Sequence, residues 1–141
     1  MKKTVMLSIE GRQSYAGQEP EVIELVTEGT LEQTVAGWIV SYEESDLTGM
    51  RGVTTTFTVE DKKLTLTRSG KLNSQMIFQE GIRHESLYQM EFGALMLSVC
   101  ARKINVELTA DGGEIDLSYG IEIEQTEAGV IDYHLNIKPQ Q

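Results

Sequence analysis

The sequence predicts an all-β fold, an antiparallel meander that closes into a barrel of about eight to ten strands. Three observations predict it. From Glu114 to Glu124 every second residue is large and apolar: Ile115, Leu117, Tyr119, Ile121 and Ile123. That period of two marks a strand with one wet face and one buried face, and it recurs along nearly the whole chain. Turn signals punctuate it at Asp61-Lys62, Ser69-Gly70, Glu80-Gly81, Phe92-Gly93, Asp111-Gly112-Gly113 and Ala128-Gly129. Spacers this short join neighbouring antiparallel strands. No connection is long enough for the crossover of a Greek key.

Strands are expected at about 3–14, 21–33, 37–45, 52–60, 63–69, 73–80, 83–91, 94–109, 113–125 and 129–138. The first starts from Met1-Lys2-Lys3-Thr4-Val5-Met6-Leu7, which briefly imitates a secretory leader. Glu10 and Arg12 cut that apolar run short, and no small-residue cleavage pattern follows. The second begins after Pro20, at a strand end where a missing donor costs little. Its last residues overlap the best helix candidate, Gly29 to Val35. There Leu31 and Val35 are spaced i,i+4 with no apolar stripe beyond them.

In a small barrel alternate residues point inward. The third strand then turns Trp38, Val40, Tyr42 and Glu44 to the interior. The fourth carries the run Thr54-Thr55-Thr56-Phe57-Thr58-Val59, a poor helix former and a good strand former, and sends Val53, Thr55, Phe57 and Val59 inward. The next three contribute Leu64, Leu66 and Arg68; Ser74, Met76 and Phe78; and His84, Ser86, Tyr88 and Met90. The eighth strand changes phase. Leu95, Leu97, Val99 and Ala101 share one parity, and Ile104, Val106 and Leu108 share the other. A slip of one residue near Arg102-Lys103 is what a β-bulge produces, and bulges bend long strands. The last two strands send in bulky apolar residues, Ile115 to Ile123 and then Ile131, Tyr133, Leu135 and Ile137. These are expected to fill an ordinary core. The middle strands mix charge and hydroxyls with apolar groups, so a pocket is expected beside them.

With 141 residues, the chain 1–141 reads as one domain. The single cysteine, Cys100, cannot form an internal disulfide, which fits a reducing compartment. No stretch approaches about 18 apolar residues. A cytoplasmic protein is expected. The net charge of −10 is uneven. Residues 1–61 carry 4 basic and 11 acidic side chains, and 105–141 carry Lys138 against 8 acids. Residues 62–83 carry 5 basic side chains against Glu80. So acidic a chain repels phosphate backbones, which argues against nucleic-acid binding. The basic middle suits either a solvated hairpin or a small anion.

Tyr42-Glu43-Glu44, Thr48-Gly49-Met50, Thr54-Thr55-Thr56, Arg68-Ser69-Gly70, Met76-x-Phe78 and Gly93 follow one another in an order and spacing that resembles the YwiB-like family of uncharacterised bacterial proteins. The resemblance runs from about Val5 to Ile137. It implies a calycin-like barrel, similar to lipocalins and fatty-acid-binding proteins, and it implies no activity.

Meander topology places Arg68, Ser74, Tyr88, Met90, Tyr42 and Glu44 near the same barrel end, and it brings Glu44 and Arg68 within reach across the strand between them. In one use, Arg68 anchors the anionic head of an amphipathic ligand at the barrel mouth, with Tyr42 and Tyr88 on the rim beside Glu44. A guanidinium suits that role because its donors lie in one plane. In the other, Arg68 pairs with Glu44 and simply closes the mouth. The barrel would then be filled and would serve interaction or structure, as a homodimer for example. No enzyme, metal or cofactor is expected. His84 and His134 have no zinc-type spacing. Cys100 sits in an apolar strand without an activating base. Gly112-Gly113 precede a strand rather than a helix, so they read as a turn and not a phosphate loop. Glu122 and Glu124 share a face that would meet water.

Overall fold

The computed structural model describes residues 2–14, 18–45, 51–90, 93–124 and 126–139, apart from the side chains of residues 88–90 and 126–128. Ten strands follow in chain order: β1 (Lys2–Ser14), β2 (Glu21–Gln33), β3 (Gly37–Glu43), β4 (Val53–Glu60), β5 (Lys63–Gly70), β6 (Ser74–Phe78), β7 (Arg83–Met90), β8 (Gly93–Thr109), β9 (Gly112–Ile123) and β10 (Thr126–Pro139). Every ladder is antiparallel. Their order, β6-β5-β4-β3-β2-β1-β10-β9-β8-β7, is a meander whose first and last strands pair. That pairing is long, from Val5 opposite Pro139 to Ser14 opposite Val130. The wrapped sheet leaves β6 and β7 as its two edges. Among the described residues the bridge Gln79–Ile82 joins them, and no ladder runs along the rest of the seam.

Alternation sets the inside as expected. Phe57, Phe78, Leu64, Leu66, Ile115 and Leu135 are essentially inaccessible, each burial stabilising by about 1.5–3 kcal/mol. The helix candidate fails. Gly29 to Gln33 continue β2, with Gly29 opposite Tyr42 and Gln33 opposite Trp38. Pairing on both sides outweighs one i,i+4 apolar pair. The phase change in β8 is a bulge, at the register shift between Ala101 and Lys103. Ile104 and Val106 then face Leu117 and Ile115 and pack against the core.

Bulges leave backbone groups without a ladder partner, and here the β6–β7 turn supplies them. Gly81 N–H donates to Ala101 O at 2.9 Å, and Glu80 Oε1 accepts from Ile104 N–H at 3.0 Å. The turn is thereby pinned across the seam at one end of the barrel. Gly112 and Gly113 start β9 with φ of 121° and 145°. A Cβ on either would collide with a neighbouring carbonyl, of Ile137 or of Glu107. They serve the β8–β9 hairpin, and no helix follows them.

Candidate functional site

Aliphatic side chains and the rings of Phe57 and Phe78 pack the lumen, and a pocket opens toward each end of the barrel. Near the β2–β3 and β4–β5 turns one of about 810 Å³ lies among Trp38, Val59, Lys63, Ile82, Ile104 and Val106. Toward the opposite end lies a cavity of about 410 Å³. Tyr42, Glu44, Arg68 and Met76 form one wall. Ile9, Leu25, Leu97, Ile121, Ile131 and Tyr133 form much of the other. Ile23 and Ile123, each more than a third exposed, stand at its rim.

The polar wall is one transverse row. Tyr42 on β3 faces Thr55 on β4, Thr55 faces Arg68 on β5, and Arg68 faces Ser74 on β6. Cross-strand partners share a face, so all four point inward. Thr55 Oγ1 donates to the carboxylate of Glu44, which is 6% exposed. Arg68 is 9% exposed. Its Nη2 reaches across the lumen and donates to the Tyr133 hydroxyl on β10 at 3.1 Å. Its Nε makes no hydrogen bond among the described residues. Tyr133 can lie there because residue 11, opposite it on β1, is glycine. A Cβ on Gly11 would sit 3.2 Å from the Tyr133 ring. The ring edge of Tyr133 is steadied by Phe57, with centroids 6.3 Å apart and planes at 77°.

Electrostatics follow from burial. Burial raises the Tyr42 phenol well above its ordinary range, and the Glu44 carboxylate raises it further. Tyr42 is therefore a neutral hydrogen-bond donor at physiological pH. Burial pulls against the charge of Arg68, but the phenol oxygens of Tyr133, Tyr119 and Tyr42 outweigh it, and the net direction is upward. A fixed cation thus faces an apolar space.

Arg68, Tyr42 and Glu44 are brought together as the register requires. Tyr88 lies on β7, and its side chain falls outside the described residues, as do the turn residues Thr48 and Phe92. One expectation is corrected. The last strands do not merely fill the core, because Tyr119, Ile121, Ile131 and Tyr133 wall the cavity. Alternation tells inside from outside, but not which height along the axis stays hollow. Gly11 and the Tyr133 contact also escaped sequence reasoning, since β5 and β10 are not neighbours in the sheet.

Elsewhere the residues weighed for chemistry are dispersed. His84 Nε2 lies 2.8 Å from Gln79 Oε1. His134, on the outer face, contacts Asp116 at 2.5 Å. Cys100 is half-buried. Glu122 pairs with Arg83 at 3.1 Å. Among the described residues no cluster of three or more potential ligands could hold a metal ion, and no helix is long and apolar enough to cross a membrane.

Residues 7–137 match the model of a family described as a domain of unknown function, DUF1934. The chain belongs to the DUF1934 family. Its fold matches the crystal structure of ywiB protein from Bacillus subtilis, with a TM-score of 0.88 at 21% identity, covering 99% of this chain and 94% of that one. The resemblance drawn from Tyr42 to Gly93 and the calycin-like barrel both stand. No curated protein matches. For a DUF1934 chain, then, the site must speak through its own geometry, since a shared fold does not carry function.

Proposed function

We propose that this barrel is a non-enzymatic, cytoplasmic binder of a small amphipathic anion, held in the lumenal cavity with Arg68 as its anchor. One observation carries the reading: a nearly inaccessible guanidinium, with an unsatisfied Nε–H, faces a cavity whose other walls are mostly aliphatic. A volume of about 410 Å³ falls within the range of small-molecule sites, about 300–1,000 Å³. Binding suits these groups better than catalysis. Tyr42 is held protonated and so is no base, and a guanidinium does not give up its proton.

Thermal shift with a panel of single-chain anions tests this. A ligand at about 100 times its Kd adds about 2.7 kcal/mol. With an unfolding entropy near 0.3 kcal/mol/K for a chain this size, Tm should rise by roughly 9 °C. If no anion moves Tm, the reading fails.

A second reading, a homodimeric interaction barrel, is favoured by one observation. Val22 and Val26 stand 47% and 69% exposed on the outer face of β2. Sedimentation at micromolar concentration separates the readings: a monomer that binds anions supports the first, and a dimer with no anion response supports the second.

A further inference from the structure

Arg68 is nearly inaccessible, so a ligand in the cavity meets its charge through the group that stands next to it. That group is the Tyr133 hydroxyl, which accepts from Arg68 Nη2 at 3.1 Å. Tyr133 is half-buried and lines the cavity. Its ring is closely placed: Gly11 leaves room for it on β1, Phe57 meets it edge-on, and Arg68 fixes its hydroxyl. A phenol oxygen can accept and donate at once. The guanidinium is a donor only, so it occupies a lone pair and leaves the O–H proton to turn elsewhere. No described residue accepts that proton. The phenol on the facing wall differs, because Tyr42 O–H donates to the Glu44 carboxylate. Tyr133 thus presents an oriented donor, backed by a cation, to a mostly apolar space.

We infer that Tyr133 is the residue that reads the ligand: its O–H donates to a carboxylate oxygen of a single-chain monocarboxylate, Arg68 behind it supplies the counter-charge, and the aliphatic chain lies against Ile9, Leu25, Ile121 and Ile131. This rests on the amphipathic-anion reading above and names its specificity residue and its ligand class. The donor fits the acceptor. A hydroxyl that accepts from a cation is polarised and makes a stronger bond onward, and an ionised oxygen is the strongest partner for it. The charge fits a monoanion. Arg68 brings one positive charge, and the Glu44 carboxylate lines the same cavity, so a phosphate dianion would meet repulsion. Size sets the tail. A volume of about 410 Å³ is on the order of 14 water-sized groups at about 30 Å³ each. It admits one chain of roughly ten carbons and excludes a two-chain lipid.

Isothermal titration of the wild type and Tyr133→Phe with decanoate, decanol and decyl phosphate tests the contact. The substitution keeps the ring beside Gly11 and Phe57 and deletes only the hydroxyl. The wild type should bind decanoate at least about ten-fold tighter than the other two, as expected for a charge-assisted hydrogen bond to a monoanion. Tyr133→Phe should lose about ten-fold for decanoate and less than about three-fold for decanol, because a neutral acceptor makes the weaker bond. If Arg68 held the carboxylate without Tyr133, the variant would free Nη2 for the ligand, and decanoate affinity would stay level or rise. That result overturns the Tyr133 contact and leaves the anion reading standing. Preference of the wild type for decyl phosphate likewise overturns the carboxylate class alone. If Tyr133→Phe folds poorly, the wild type labelled with ¹³C at tyrosine Cζ decides. The Tyr133 signal should move further with decanoate than with decanol, and equal shifts overturn the contact. Equal affinity of the wild type for decanoate and decanol, or no binding of any of the three, overturns both proposals.

Discussion

Arg68→Met separates a binding arginine from a structural one. In the free protein two effects oppose each other. The substitution removes a buried charge and an unsatisfied Nε–H, which relieves about 1–3 kcal/mol. It also removes the donor to the Tyr133 hydroxyl, a bond to a charged group worth about 1.5–3 kcal/mol. The half-buried Tyr133 can recover part of that loss from water at the cavity mouth. The methionine stem refills most of the arginine's volume. The net change should lie within about 1 kcal/mol, or roughly 3 °C in Tm at about 0.3 kcal/mol/K. Anion binding should respond very differently. Losing the guanidinium removes a charge-assisted hydrogen bond worth about 1.5–3 kcal/mol, an affinity loss of at least about ten-fold. Differential scanning calorimetry and titration with decanoate on the same two proteins read both numbers. An arginine that merely closed the barrel by pairing with Glu44 would show the reverse pattern. Breaking a buried ion pair costs about 3–5 kcal/mol, or a fall of 10 °C or more. Such a fall, with no change in anion affinity, would refute the reasoning.

Gly11→Val should push the Tyr133 ring out of place, because a Cβ there already lies 3.2 Å from it. Overpacking of about 1–2 kcal/mol should lower Tm by roughly 3–7 °C and abolish decanoate binding, both readable in one thermal-shift series. Glu80→Ala removes the acceptor for the Ile104 amide at the β8 bulge. It should cost about 1 kcal/mol and speed hydrogen exchange at Ile104 and Gly81 while leaving anion affinity alone. His134 has its pKa raised by its hydrogen bond to Asp116, with Asp116, Glu114 and Glu10 adding to it. The folded value therefore lies above the unfolded one, near 6.5. The stabilisation is complete below pH 6.5 and fades as pH rises through the folded value. With 42% of the side chain exposed, it should stay under about 1 kcal/mol. Comparing Tm for wild type and His134→Gln, a gap should appear at pH 5.5 and vanish at pH 9. A gap that grows with pH would show that the sign is wrong.

Much of the barrel was legible because β-sheets write their geometry locally. The period of two gave the inward set from Val53 to Phe78, and the change of parity between Ala101 and Ile104 gave the bulge before any coordinates. Neighbour-to-neighbour register was enough to gather Tyr42, Arg68 and Glu44 at one end. What crosses the lumen was not legible. The Arg68–Tyr133 bond links strands far apart in sheet order, and nothing in either strand's pattern points to the other. The hollow itself depends on how far opposite walls stand apart. Ile121 and Ile131, which read as filling, prove to be its lining. Gly11 gave no signal, because a glycine within a strand announces close approach without saying of what.

The most direct test follows the Arg68 Nε–Hε resonance by ¹H–¹⁵N nuclear magnetic resonance, assigned by its loss in Arg68→Lys, while decanoate is added. A ligand seated in the lumenal cavity should move that resonance downfield and slow its exchange with water, together with shifts at Ile23, Ile121 and Ile131. Saturating decanoate that leaves the Nε–Hε signal untouched and perturbs only outer-face amides, such as those of Val22 and Val26, would contradict a ligand-binding lumen.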